Sequence, residues 1–176
     1  MIEEQIKASI RNVPDFPKPG ISFKDITTVL MEPALCKLIN VEFVERLKGK
    51  PVDAIVGIES RGFIFGMMLA QSLSVPFIPA RKSGKLPFKT MAYHYQLEYG
   101  TATLEMHVDA LKKGWHVLLH DDLLATGGTA MAASQLIKMQ DANVMGFTFL
   151  VELDFLKGRE KLVKFSENII SLARYK

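Results

Sequence analysis

The chain has 176 residues, the length of one domain with room for a substantial core. Its net charge of +3 is too mild for a nucleic-acid-binding tail, though it leaves room for a locally basic site facing an anionic substrate. A lone cysteine, Cys36, excludes an internal disulfide and fits a reducing compartment, with core packing as its expected role. No apolar run reaches membrane-spanning length, and Glu3 and Glu4 stand where a signal peptide would carry basic residues. A cytoplasmic protein with no membrane partner is therefore expected.

In chain order, residues 3–11 read as a short amphipathic helix and the proline-rich stretch 14–20 as an extended loop. Residues 33–48 form a second predicted helix, with Pro33 at its start and Gly49 at its end. Residues 53–58 read as a buried strand, 62–73 as a helix and 76–80 as a short strand. Extended segments follow at 93–97 and 104–108, then an apolar strand around 117–119, a helix from 130 to 139 and a strand at 144–150. Such alternation predicts an α/β fold, a mainly parallel sheet with helices on both faces, in a single domain spanning 1–176. Ligands of such sheets bind beyond the carboxyl ends of the strands, which gathers three distant segments on one rim.

The richest of these is Asp121-Asp122-Leu123-Leu124-Ala125-Thr126-Gly127-Gly128-Thr129, which joins two acids to a glycine turn between a strand and a helix. Backbone N–H groups of such a turn, at a helix N-terminus with its partial positive charge, suit a phosphate dianion, and Thr126 and Thr129 add hydroxyl donors. Carboxylates repel phosphate but accept hydrogen bonds from vicinal hydroxyls, so the acids point to a sugar phosphate. A Gly-Gly turn alone is also an ordinary strand-to-helix connection; the acid pair is what argues for a ligand. The run lacks Gly-Lys-Ser/Thr and G-x-G-x-x-G, which excludes the Walker and dinucleotide fingerprints. Ser60 and Arg61, in Glu59-Ser60-Arg61-Gly62, also sit between a strand and a helix and offer a second phosphate site. Arg81, Lys82 and Lys85 place three cations within five residues at the next strand end.

These segments, with Val13-Pro14-Asp15-Phe16-Pro17-Lys18-Pro19-Gly20-Ile21, Phe23-Lys24-Asp25-Ile26-Thr27, Leu97-Glu98-Tyr99-Gly100 and Lys157-Gly158-Arg159-Glu160, resemble the adenine-specific type I phosphoribosyltransferases over nearly the whole chain. The resemblance implies transfer of the 5-phosphoribosyl group from phosphoribosyl pyrophosphate (PRPP) to N9 of adenine, giving AMP and pyrophosphate. It implies magnesium carried mainly by PRPP with no protein metal cage, and a homodimer. It also implies an N-terminal hood over the base at about residues 1–30 and a mobile lid loop at about 81–98. Phe23 then stacks on the purine while the backbone of Ser22 and Lys24 reads its edge, and Ser60 and Arg61 bind pyrophosphate on a turn with a cis peptide at Glu59-Ser60. Arg81, Lys82 and Lys85 belong to the lid, Glu98 handles the proton of adenine N9, and Tyr99 lies near the leaving group. Asp121 and Asp122 take the ribose hydroxyls, and Ala125, Thr126, Gly127, Gly128 and Thr129 take the 5-phosphate.

Ser22, Lys24 and Thr28 depart from the usual valine, arginine and proline, and His120 replaces an aliphatic residue. Strand alternation puts His120 on the face of Leu118, as a packed histidine and not a catalyst. Two alternatives stay open: a PRPP-sensing regulator of the same fold, and a phosphoribosyltransferase for another purine.

Overall fold

The computed structural model describes residues 1–96 and 100–176. The chain opens with helix α1 (Ile2–Ser9), strands β1 (Arg11–Val13) and β2 (Phe23–Asp25), and the single turn α2 (Thr27–Leu30). β1 and β2 pair antiparallel, Arg11 opposite Asp25, and fold the proline-rich stretch back on itself. Helix α3 (Pro33–Leu47) starts on proline, whose fixed φ suits a first helical position. Leu35, Ile39, Phe43 and Leu47 recur every fourth residue along it and form one buried stripe.

Strand β3 (Ala54–Ile58) is buried on both faces, as its uninterrupted apolar run predicts for a central parallel strand. Helix α4 (Gly62–Leu73) and strand β4 (Phe77–Lys82) follow, then β5 (Thr90–Gln96) and β6 (Thr101–His107). β7 (His116–Leu124), helix α5 (Gly128–Met139), β8 (Asn143–Leu153), helix α6 (Gly158–Leu162) and β9 (Ile169–Tyr175) complete the chain. Among the described residues the main sheet has seven strands in the order β5-β6-β4-β3-β7-β8-β9. The β4-β3-β7-β8-β9 block is parallel, and β6 runs antiparallel to both β4 and β5.

The sheet divides the apolar side chains into two clusters. On one face Leu119, Leu136, Ile137, Phe147 and Phe149 pack under α5 and α6; on the other Ile6, Ile26, Ile39, Phe43, Phe65 and Leu118 pack under α1 to α4. Helices therefore cover both faces, as expected. Removing a fully buried aromatic such as Phe43 costs about 3 to 5 kcal/mol in transfer energy and cavity.

Several elements differ from the sequence expectation. β7 continues through Asp121 and Asp122 to Leu124, because Asp121, Leu123 and Leu124 keep pairing with β8, opposite Phe149, Val151 and Glu152. Residues 90–96 of the expected lid form β5, paired along its length with β6, leaving 83–89 as the connection. β9, with Ser171 and Arg174 interrupting its apolar residues, is an edge strand that the sequence did not reveal. None of the described helices is long and apolar enough to cross a membrane.

Candidate active site

The carboxyl ends of β3, β4 and β7 and the first turn of α5 converge on a cavity of about 710 Å³. Ser60, Arg61, Lys82, Asp121, Asp122 and Thr129 line it, so six of the residues singled out by sequence share one cavity. Glu59, Ser83, Tyr95 and Thr103 line it too and were not foreseen as site residues.

The turn between β7 and α5 forms as its glycines predict. Gly127 is the residue before α5, in the left-handed region at φ +77°, where a glycine carries no side-chain penalty. Gly128 begins the helix, both glycines are buried, and Thr129 in its first turn lines the cavity. Tyr95 of β5 donates its hydroxyl hydrogen bond to Thr129 Oγ1 at 3.3 Å, linking the β5-β6 hairpin to this turn. Ala125 and Thr126 connect β7 to it and are half-buried.

The acid pair stands at the end of β7. Asp122, 5% exposed, is hydrogen-bonded to Arg61 Nε, and the Asp122 backbone N–H donates to Asp121 Oδ1 at 2.8 Å. Burial, then the neighbouring Asp122 charge, raises the Asp121 carboxyl well above the ordinary carboxylate range. Arg61 is held charged: burial opposes the charge, but Asp122, Asp121 and Asp25 outweigh it. The Arg61 guanidinium also lies over the Phe23 ring, 5.5 Å from its centroid. Arg61 thus touches both the aromatic of the N-terminal segment and the acid pair, and turns towards Asp122 instead of standing free for an anion. Phe16 meets Phe23 edge-on, with centroids 5.2 Å apart.

The turn after β3 carries a cis peptide at Glu59-Ser60, where the resemblance placed one. Glu59 accepts a fork from Arg81, Nη2 to Oε1 at 3.0 Å and Nε to Oε2 at 3.3 Å, and the Lys82 backbone N–H at 2.9 Å. The Arg81 hydrogen bonds hold the Glu59 carboxyl below the usual range against the opposing effect of burial. Arg81 Nη1 donates to the Lys85 carbonyl at 3.1 Å, so this arginine ties the end of β4 to the connection that follows it. Glu105 does the same next door, accepting from Ser83 Oγ at 2.7 Å and the Gly84 N–H at 3.1 Å. The sequence hid both carboxylates, since an acid beside an anion site argues against itself; the lone charge inside the apolar run of β6 was the available signal for Glu105.

Elsewhere the placement is mixed. The Lys24 ammonium reaches Asn12 Oδ1 at 2.5 Å and lies over the Tyr175 ring, so its side chain turns to β9 and leaves only its backbone for a base. Ser22 is exposed beside it. Lys85 contributes its carbonyl to Arg81. Glu98 and Tyr99 lie outside the described residues. His120 is fully buried, bonded through Nδ1 to Thr148 Oγ1 at 2.9 Å and edge-on to Phe43, with its pKa lowered by desolvation to about 3. That is the packed, hydrogen-bonded histidine expected. No group of three or more metal-ligating side chains occurs among the described residues.

A mainly parallel sheet whose strand ends gather a glycine turn opening a helix, an acid pair and a group of cations has the arrangement of a sugar-phosphate transferase site. The chain belongs to the phosphoribosyl transferase family, whose domain model matches residues 34–170. Within it the similarity is to adenine phosphoribosyltransferases. The one from Cytophaga hutchinsonii is 50% identical over 175 residues, 99% of this chain and 97% of the relative. The crystal structure of the one from Thermoanaerobacter pseudethanolicus superposes with a TM-score of 0.94 at 47% identity, covering 99% of this chain and 100% of that one. The Saccharomyces cerevisiae enzyme, in complex with an imino-altritol bisphosphate and adenine, has a TM-score of 0.91 at 38% identity, covering 97% and 98%.

Proposed function

We propose that this protein transfers the 5-phosphoribosyl group of PRPP to N9 of adenine, releasing AMP and pyrophosphate, as a purine-salvage enzyme of the cytoplasm. The observation that carries the reading is that Asp121 and Asp122 share one cavity with Thr129, in the first turn of the helix that Gly127 opens, which we read as a ribose clamp beside a phosphate cradle. The yeast relative's complex with adenine and a bisphosphorylated imino sugar supports the same ligand chemistry.

In this reading the ribose hydroxyls donate to Asp121 and Asp122, and the 5-phosphate accepts from the backbone of 126–129 and the threonine hydroxyls. Pyrophosphate lies between the Ser60 turn and Lys82, and Phe23 covers the base. Cleavage at C1′ passes through an oxocarbenium-like state by analogy with glycoside chemistry, so positioning and neutralisation of the departing charge supply most of the acceleration. Arg61, lying between Phe23 and Asp122, must give up its acid to the incoming ribose. Glu98 takes the adenine N9 proton. Magnesium fits here as a companion of PRPP: Asp121 and Asp122 are hard oxygen donors, and the ion would neutralise pyrophosphate charge when bound. Leu38 and Val41 of α3 and Ile64 and Met67 of α4 are exposed apolar side chains on adjoining helices, which supports a homodimer, testable by sedimentation.

The decisive assay is turnover on a panel of bases. Adenine pairs an amine donor with an N1 acceptor, and hypoxanthine and guanine reverse both, so a backbone-read site rejects them by up to ~10⁴ to 10⁵ in kcat/KM. Use of hypoxanthine or guanine within about tenfold of adenine would overturn the base assignment, being far less than such a mismatch costs. Absence of pyrophosphate release with any base would leave a PRPP-sensing regulator.

A further inference from the structure

The phosphate turn leans on a segment far along the chain. A Cβ on Gly127 would stand 2.6 Å from the carbonyl oxygen of Gly158 and 3.2 Å from its Cα. The relation is reciprocal: a Cβ on Gly158 would overlap the Ala125 carbonyl and lie 2.9 Å from Leu124 Cδ1 and 3.0 Å from the Gly127 nitrogen. Two backbones therefore meet with no side chain between them, and the outer side of residues 125–127 is set by residues 157–158.

That outer segment is itself clamped. Lys157 adopts a left-handed φ of +52° and turns the chain into Gly158. The next residue, Arg159, forks onto Glu152, Nε to Oε1 at 3.0 Å and Nη2 to Oε2 at 2.6 Å, and spends Nη1 on the Ile169 carbonyl at 3.0 Å. Glu152 is 3% exposed and sits opposite Leu124, the last residue of β7, in the sheet. It also accepts from Ser171 Oγ at 2.5 Å, and Arg174 Nε stands 3.8 Å away. One guanidinium thus joins the end of β8, the start of β9 and the backbone on which the turn rests. A planar fork fixes direction as well as distance, which a lysine point charge does not.

We propose that Arg159, through its fork on Glu152, is a positioning residue for the ribose 5-phosphate: it sets the Gly158 backbone against which the phosphate turn is shaped. The inference rests on the cradle reading of residues 125–129 given above. Arg159 touches no substrate in this scheme, and its effect reaches the ligand through Gly158 and Gly127.

The test measures binding of ribose 5-phosphate and of adenine by calorimetry, and the separate KM values for PRPP and adenine, in Arg159→Met, Arg159→Lys and Glu152→Gln. Displacement of a phosphate cradle by a fraction of an ångström to an ångström predicts a loss of ribose 5-phosphate affinity of about tenfold to a hundredfold in Arg159→Met, with adenine binding unaltered. Arg159→Lys should recover only part of it. A purely structural role would lower melting temperature and the active fraction while leaving both KM values at wild type, and that outcome overturns the proposal. If Arg159→Met does not fold, Arg159→Lys and Glu152→Gln, which preserve volume, decide by the same ratio of affinities. Gly127→Ala separates the two readings. If it loses ribose 5-phosphate while the Arg159 and Glu152 variants bind normally, the cradle stands and the proposal fails; if it also binds normally, the cradle reading falls and takes the proposal with it.

Discussion

Replacing Asp121 by asparagine should make the protein more stable and a worse enzyme at the same time. Burial and the adjacent Asp122 raise the Asp121 carboxyl above its ordinary value of 3.8, so the folded protein holds its proton more tightly than the unfolded chain. The contribution of such a group to stability is fully present below the unfolded pKa and is lost as pH rises through the folded one. Asparagine stays neutral throughout and can still accept the Asp122 N–H that now bonds Asp121 Oδ1 at 2.8 Å. Relief of unfavourable charge of this kind commonly yields about 0.5 to 2 kcal/mol, or about 1 to 8 °C for a domain of this size. The loss of a charge-assisted bond to a ribose hydroxyl costs about 1.5 to 3 kcal/mol, a fall of roughly tenfold to 150-fold in kcat/KM for PRPP. Melting curves of both proteins from pH 4 to 8, with kinetics at each pH, measure the two effects. The gain in melting temperature should be near zero at the acid end and grow with pH. A variant that melts at or below wild type at pH 8, or a gain independent of pH, would refute the electrostatic argument.

Three further outcomes are expected. Glu98→Gln should lower the single-turnover rate by about 10² to 10⁴ with a smaller change in KM, and a rate near wild type would remove Glu98 from proton handling. His120, with a pKa of about 3 against an ordinary 6.5, is protonated more readily in the unfolded chain, so its stabilising effect is complete above about pH 6.5 and drains away towards pH 3. His120→Gln should flatten that part of the melting-temperature profile; parallel profiles for the two proteins would contradict it. Glu59→Gln loses the charge and one of the two acceptor oxygens that meet Arg81 and the Lys82 N–H, and kcat/KM for PRPP should drop about tenfold. Unchanged PRPP kinetics would show that the lid base does not depend on this carboxylate.

The parts of the fold legible in the sequence are those whose local chemistry and tertiary setting agree. α4 is legible at both ends because a polar turn, Glu59-Ser60-Arg61, precedes it and Ser74, left-handed at φ +56°, closes it before Val75-Pro76. α3 declared itself through Pro33 and its four-residue stripe. β9 did not, because Ser171 is there to serve Glu152 and Arg174 to serve Asp154, and neither reason is visible one strand at a time. The candidate site divides in the same way. The acids and glycines of 121–129 are neighbours in the chain, so their spacing alone brings them together at the end of β7 and the start of α5. Arg61 and Arg81 read equally as phosphate ligands, but which atoms their guanidinium groups meet depends on Asp122, Phe23 and Glu59 arriving from other segments. A long cation's partner is a tertiary fact.

The segment that carries Phe23 is not a removable cassette. Ile6, Ile10, Ile26 and Val29 are sealed into the same apolar cluster as Ile39 and Phe43 of α3 and Phe65 of α4. A chimaera that imported the first thirty residues of a relative with a different base preference would bring in side chains cut for another surface. Each void or overlap there would cost about 1 to 5 kcal/mol, enough for two mismatches to consume the stability of an ordinary domain. In the proposed reading, where Phe23 covers the base, base preference and folding are thus inherited together. A workable graft would carry α3 along with the hood and join at Gly49, where φ of +78° marks a natural break in the chain.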